Sequence, residues 1–313
     1  MSYVIEMKSL TKKFGSLTAV NGLNIKIKEG EIFGFLGPNG AGKTTTISML
    51  TTLIRPTSGT ALVGGYDLMA EPAAVRSIIG VVPQSFSLFS ELTPVENLAY
   101  IGKLYGMKDS AIKERTEHLL KVVALTDFRN KIAGDFSGGM KQRLSVAASI
   151  ISSPKILIMD EPTSGLDPQS RIAIRDLTKE LNGQGITIVY TTHDMEEADK
   201  LCDRITIMDK GKVVADGTSA ELKRTIRDGH LIEVELETVT PQIIAELKRL
   251  PFVKSVSNGN GNLLNIEVAK KDNIFFQLAE FFMKHRQKVG EIRFKENSLE
   301  DVFIHLTKKD LRD

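Results

Sequence analysis

Nine residues, Gly37-Pro38-Asn39-Gly40-Ala41-Gly42-Lys43-Thr44-Thr45, combine the types and spacing needed to hold a chain of phosphates. Glycines at 37, 40 and 42 let the backbone curl tightly and turn consecutive N–H groups toward an anion with no Cβ in the way. Lys43 adds a mobile point charge for terminal phosphates, and the Thr44 hydroxyl is sized for a magnesium ion. The flanks agree: residues 31–36 read as a buried strand, and 44–53 as a helix whose N-terminus favours negative charge.

A second group of candidates closes another apolar run. Lys155-Ile156-Leu157-Ile158-Met159-Asp160-Glu161-Pro162 has the pattern of a central parallel strand, and ligands bind at the carboxyl ends of such strands. Asp160 is placed there to hold a water of a magnesium shell, and Glu161 to orient or deprotonate an attacking water. Two adjacent carboxylates after buried aliphatics repel one another unless a cation is near. Gln84, leaving the apolar run 78–82, can hydrogen-bond a magnesium-bound water. His193 follows the run 186–190 and Thr191-Thr192; a lone histidine is more often a satisfied polar residue than a catalytic one.

The elements that must position these groups can be read in order. Strands over 4–10 and 23–27 make a hairpin-like entry; Phe14, in the basic turn between them, reads locally as an aromatic cover for the hairpin, although its flat face also suits a nucleobase. From Phe86 to about Ser153 the texture is helical, with apolar residues at three and four spacing over 95–105 and 111–125. Within it Ser137 is a natural N-cap, and Gly138-Gly139 leave the first N–H groups of the next helix open to an anion. Residues 169–181 form a further helix, and 205–208 with 212–215 a hairpin across Asp209-Lys210-Gly211.

After Asp228-Gly229 the pattern changes to β-α-β-β-α-β plus a final helix, with a turn at Asn258-Gly259-Asn260-Gly261. That order suggests a small α+β domain of split βαβ, ferredoxin-like type. It carries no phosphate loop and no metal-ligand spacing. The division expected is 1–225 for the phosphate-binding domain and 226–313 for the accessory one.

Composition limits the rest. At 313 residues with 42% hydrophobic content, two packed domains are expected. Forty-one basic against thirty-nine acidic residues give a net charge of +2, so no bulk attraction to nucleic acid or acidic lipid is expected. No apolar run approaches the roughly 20 residues of a membrane span. The start lacks the pattern of a secretory signal, and the single Cys202 can make no intramolecular disulfide; a cytoplasmic location is expected.

Taken together, the loop 37–45, Gln84, Phe136-Ser137-Gly138-Gly139-Met140-Lys141-Gln142-Arg143, Asp160-Glu161-Pro162, Ser164 to Asp167 and His193 occur in the order and approximate spacing of an ABC transporter nucleotide-binding subunit. The match covers residues 1 to about 218. The tail, with Asn297-Ser298-Leu299-Glu300-Asp301-Val302-Phe303, also resembles the accessory domain of ATPase subunits serving type-2 ABC exporters, those of drug and antibiotic resistance.

The resemblance implies an α/β P-loop NTPase core of ABC type with antiparallel β and helical subdomains. It implies that Lys43 and the amides of the loop 37–45 hold the ATP β- and γ-phosphates, that Thr44, Gln84 and Asp160 surround Mg2+, and that Glu161 polarises the attacking water. His193 would contact the γ-phosphate, and Phe14 would stack on adenine. Ser137, Gly138, Gly139 and Gln142 would reach the ATP of a second subunit in a head-to-tail homodimer, with Asp167 at the interface. A separate multi-span permease would place the subunit peripherally on the cytoplasmic face of the membrane. Phe86, Leu88 and Phe89 either receive a permease helix or bury themselves under the helical insertion. Met140-Lys141 departs slightly from many relatives.

Other classes fit less well. Asn130-Lys131-Ile132-Ala133 lacks the aspartate of a guanine-reading motif, no long heptad segment interrupts the chain, and only one ATPase domain is present. Soluble regulatory or ribosome-associated ABC ATPases are the alternative.

Overall fold

The computed structural model describes residues 2–226, 229–259, 261–269, 273–295 and 297–309; Asp228 and Asn260, named above, lie outside them. The chain forms two compact units, Met1–Ser219 and Ala220–Asp313.

The first unit opens with β1 (Tyr3–Phe14), β2 (Leu17–Leu23) and β3 (Lys26–Lys28). β1 runs through the Lys12-Lys13-Phe14 segment that the sequence suggests is a connection, and pairs back with β2 through Phe14↔Leu17. The weak β character of Asn21-Gly22 hides β2 from a periodicity reading. The chain continues through β4 (Ile32–Leu36), α1 (Lys43–Leu50), β5 (Ser58–Val63), β6 (Tyr66–Asp67), α2 (Pro72–Ile78) and β7 (Ile79–Val82). Then come α3 (Pro94–Leu104), α4 (Asp109–Val122) and α5 (Gly138–Ser149), all within the stretch read as helical. β8 (Ile156–Asp160), α6 (Pro168–Gly183), β9 (Thr187–Thr192), α7 (Met195–Leu201), β10 (Arg204–Asp209) and β11 (Lys212–Gly217) complete the unit.

Two sheets result. β2-β1-β5-β6, with β3 beside β1, is antiparallel. The second has the order β11-β10-β4-β9-β8-β7, in which every strand but β11 runs parallel to its neighbours. Every residue of β4, β8 and β9 is buried, as expected of parallel strands covered on both faces. Phe33, Phe35, Ile158 and Val189 from these strands join Ile5, Leu10 and Leu50 in one apolar core, with Phe33 and Phe35 edge to face at 5.0 Å. A packed sheet of this kind fixes the ends of β4, β9, β8 and β7 side by side.

The helical stretch has its own local logic. Thr93 and Glu96 form a reciprocal capping box at the start of α3, with Pro94 at its first position.

The second unit begins at Ala220, one residue into α8 (Ser219–Arg224). It contains β12 (Gly229–Leu236), α9 (Pro241–Leu247), β13 (Val253–Asn258), β14 (Leu263–Ala269), α10 (Ile274–Lys284), β15 (Val289–Lys295) and α11 (Leu299–Lys309). Its sheet is antiparallel in the order β13-β14-β12-β15. Ile232, Val234, Leu264, Ile266 and Val268 alternate onto one face and pack with Ile243, Leu247, Leu278 and Phe282 of the helices.

Candidate active site at the carboxyl ends of the parallel strands

The phosphate-type loop links β4 to α1. Gly37 is irreplaceable in its surroundings, because a Cβ there would meet the Met208 carbonyl oxygen at 2.3 Å. Gly42 has φ +102, and a Cβ would lie 2.6 Å from the Ala19 carbonyl oxygen. The loop is thus pressed against β2 and β10. Pro38, Asn39 and Gly40 are exposed, while Ala41 and Gly42 are buried; the Ala41 N–H donates to Pro38 and the Ala41 carbonyl accepts from Gly211. Thr44 is exposed at the helix start, Thr45 half-buried beside it.

Lys43 is folded inward, 4% exposed. Its ammonium donates to the carbonyls of Gly37 at 2.6 Å and Pro38 at 3.1 Å, and lies 3.2 Å from Glu161 Oε1. Glu161 Oε2 is 3.0 Å from His193 Nδ1 and accepts from Gln84 Nε2 at 3.5 Å. The Thr44 hydroxyl donates to Asp160 Oδ1 at 3.3 Å. Lys43, Thr44, Gln84, Asp160, Glu161 and His193, from four separate stretches, therefore meet in one hydrogen-bonded cluster. Glu161 adopts φ +46, a left-handed conformation uncommon for a non-glycine residue, at a cost of about 1–3 kcal/mol. Such strain persists only where the surroundings over-determine it.

What over-determines it was not apparent from the sequence. The apolar run placed Thr191 and Thr192 beyond the strand; they lie inside β9 and are buried. Thr191 Oγ1 donates to Asp160 Oδ1 at 2.6 Å and accepts from the Glu161 N–H at 2.9 Å. Thr192 turns to the other side. Its hydroxyl donates to Glu197 Oε2 at 2.8 Å and accepts from the Asp194 N–H at 3.0 Å, while Asp194 caps α7 through the Glu197 N–H. Tyr190 donates to Glu197 Oε1 at 2.9 Å, and burial, reinforced by the Glu197 charge, pushes its phenol well above the usual range. His193 is thereby bracketed on both sides by fixed backbone. The available signal was the Thr-Thr pair and a glutamate four residues after His193.

The donor set at Thr44, Gln84 and Asp160 consists of oxygens, with one carboxylate. Such a set fits a small hard cation that keeps several waters, as magnesium does.

Other expected site residues stand apart from this cluster. Phe14 is half exposed, with the Lys12 ammonium 5.0 Å from its ring centroid. Ser137 caps α5, its Oγ accepting from the Met140 N–H at 3.3 Å, and Ser137 and Gly138 are exposed. Gly139 is buried, and a Cβ there would lie 2.1 Å from Ser170 Oγ, so close packing of α5 on α6 also demands this glycine. Asp167 caps α6; the Ser170 groups from which it accepts hold its carboxyl below the usual range. Gln142, expected to reach a partner's nucleotide, is 2% exposed on α5 within its own chain.

A family model described as ABC transporter matches residues 20–164. The chain is 38% identical to the linearmycin resistance ATP-binding protein LnrL of Bacillus subtilis over 99% of its own length and all of that protein's. The chain belongs to the ABC transporter ATP-binding family. The daunorubicin/doxorubicin resistance ATP-binding protein DrrA of Streptomyces peucetius is 39% identical over 97% of this chain and 92% of its own. The Nod factor export ATP-binding protein I of Cupriavidus metallidurans is 36% identical across both full lengths.

Among solved structures, cbiO1 from Clostridium perfringens, part of an ABC transporter complex, superposes with a TM-score of 0.66 at 28% identity, covering 72% of this chain and 95% of that one. A dimeric cassette bound to ADP and Pi gives 0.62 at 31% identity, over 68% and 98%. As a member of this family the chain is an ATPase, the ATP-binding subunit of an ABC transporter. The P-loop core with antiparallel and helical portions is the family's fold. No helix among the described residues is long and apolar enough to cross a membrane.

Proposed function

We propose that this chain hydrolyses MgATP in a head-to-tail homodimer to drive export through a separate multi-span permease. The observation that carries this reading is the convergence of Lys43, Thr44, Gln84, Asp160, Glu161 and His193 while Ser137 and Asp167 face outward elsewhere on the same unit. In this reading the loop 37–45 holds the phosphates, Thr44, Gln84 and Asp160 hold Mg2+ with its waters, Glu161 polarises the attacking water and His193 contacts the γ-phosphate. Magnesium supplies charge neutralisation at the developing phosphates. Phe14 stacks on adenine. Ser137, Gly138 and Gly139, with Asp167 beside them, complete the site of the second subunit; Gln142 supports α5 from within.

ATP bridging gives the closed dimer contacts that the open one lacks, and only such differential affinity can shift the equilibrium. Coupling would pass through the segment after Gln84. Phe86 and Phe89 are about half exposed there, Phe89 resting edge to face on Tyr100 at 4.6 Å, which favours a docking surface over a fully buried plug. The second unit we read as a split βαβ, ferredoxin-like accessory domain. Its helices cover one sheet face, and we assign it no chemistry. The relatives' names point to export, and a cytoplasmic, membrane-peripheral position follows from the permease.

The deciding experiment is purification of the chain from its native membranes in mild detergent. A multi-span protein recovered at a fixed ratio supports transport. Recovery with only soluble partners, ribosomes or DNA would keep the ATPase and overturn the transport reading.

A further inference from the structure

We propose that Thr191 is a positioning residue for ATP hydrolysis, its single hydroxyl setting the orientation of Asp160 and the backbone of Glu161 together. The inference rests on the roles given above to those two carboxylates.

Thr191 sits at the carboxyl end of β9, opposite Asp160 on β8 and Phe35 on β4, and is fully buried. Its hydroxyl proton goes to Asp160 Oδ1 at 2.6 Å, the shortest contact that carboxylate makes among the described residues; the Thr44 hydroxyl reaches the same oxygen only at 3.3 Å. Its lone pair accepts from the Glu161 N–H at 2.9 Å, where the alternative acceptor, the Thr191 carbonyl, lies at 3.2 Å. One oxygen thus fixes the rotamer of the carboxylate proposed to hold magnesium-bound water. It also fixes the peptide that must carry Glu161 at φ +46. Groups that orient a ligand through a hydrogen bond act on metal affinity and turnover without touching substrate.

A valine at 191 keeps the branched shape a buried strand prefers and removes both bonds. Asp160 then loses its short partner, and Glu161 has less to hold it in a strained conformation. A serine keeps the hydroxyl and loses only the methyl.

The test uses the full-length chain and two readouts. Steady-state ATPase activity is measured beside the affinity for a fluorescent ATP analogue, with Mg2+ and with EDTA. Thr191→Val should lower kcat by about 10- to 100-fold and reduce the affinity gained from Mg2+, while binding in EDTA is unchanged. Thr191→Ser should restore both. Normal turnover and a normal Mg2+ effect in Thr191→Val overturn the proposal, as does a serine variant no better than valine, which would point to methyl packing instead. Should Thr191→Val not fold, Thr191→Cys, of similar size but a weak donor, takes its place against serine under the same criteria. Glu161→Gln is run in parallel. Turnover surviving in it breaks the underlying assignment of Glu161, whereas its loss beside an unimpaired Thr191→Val breaks this inference alone.

Discussion

The Lys43 ammonium and the Glu161 carboxylate form an ion pair at 3.2 Å, and both side chains are almost wholly buried. A buried pair compensates the desolvation of both charges only with further hydrogen bonds, and these are present: two carbonyls on Lys43, the Thr191 contacts on the Glu161 backbone and His193 on its second oxygen. The lysine proposed to hold phosphate and the proposed catalytic carboxylate are therefore electrostatically linked before any substrate interaction is considered.

Glu161→Gln keeps the size and an acceptor for Lys43 but loses the basicity needed to draw a proton from water. ATP binding should persist while hydrolysis falls by about 10²- to 10⁴-fold, and dimers containing MgATP should accumulate on gel filtration. A variant that hydrolyses ATP at the normal rate would remove Glu161 from the catalytic role.

Lys43→Ala removes the charge-assisted contact to phosphate that we propose for this lysine, worth roughly 1.5–3 kcal/mol, so nucleotide affinity should drop by about one to two orders of magnitude. It also strips Glu161 of its buried cation, and a lower melting temperature should accompany the loss. Unchanged affinity for ATP in an equilibrium binding assay would count against the phosphate-loop assignment.

How far the sequence alone reaches is clear from particular residues. Lys43 was legible from its place after the glycines of the loop 37–42, and Asp160 and Glu161 because they end an apolar run with residue types that have little structural reason to be there. Gln84 and His193 were legible by position at strand ends, and the structure joins both to Glu161. Thr191, Thr192, Tyr190 and Glu197 were not, because a hydroxyl inside a β-run carries no periodicity signal and its partner lies on another element. The burial of Gln142 was hidden for a related reason: a polar residue five positions after exposed Ser137 looks outward until the packing of α5 is known. Strand β2 escaped because Asn-Gly suggests a turn while tertiary pairing with β1 overrides it.

The Tyr190–Glu197–Thr192 network predicts a stability effect distinct from catalysis. Glu197→Ala leaves two buried hydroxyls without their acceptor, at about 1–3 kcal/mol for each group left unsatisfied. For a domain of this size, each kcal/mol shifts the melting temperature by roughly 2–4 °C. Calorimetry should therefore show a drop of several degrees, with Glu197→Gln intermediate because its amide oxygen still accepts one hydroxyl. A melting temperature unmoved in Glu197→Ala would mean that water replaces the carboxylate.

In the second unit, Glu233 on β12 accepts from Lys295 at 2.9 Å and Arg293 at 2.8 Å across β15, and the Lys295 bond, with the Arg293 bond and both charges, holds its carboxyl below the usual range against the opposing effect of burial. A lowered folded-state value means that the unfolded chain takes up the proton first as pH falls. The stabilisation is thus fully present above the unfolded value near 4.5 and is lost as pH drops through the lower folded one. Both cations sit on side chains about half exposed, which limits each pair to roughly 0.2–1 kcal/mol. Protection factors of the β12 and β15 amides in the full chain, with exchange rates corrected for the intrinsic pH dependence of amide exchange, should fall below about pH 4.5 in the native protein. In Glu233→Gln they should already be lower at neutral pH and change less on acidification. Equal acid sensitivity in the two proteins would show that another carboxylate controls the opening of this sheet.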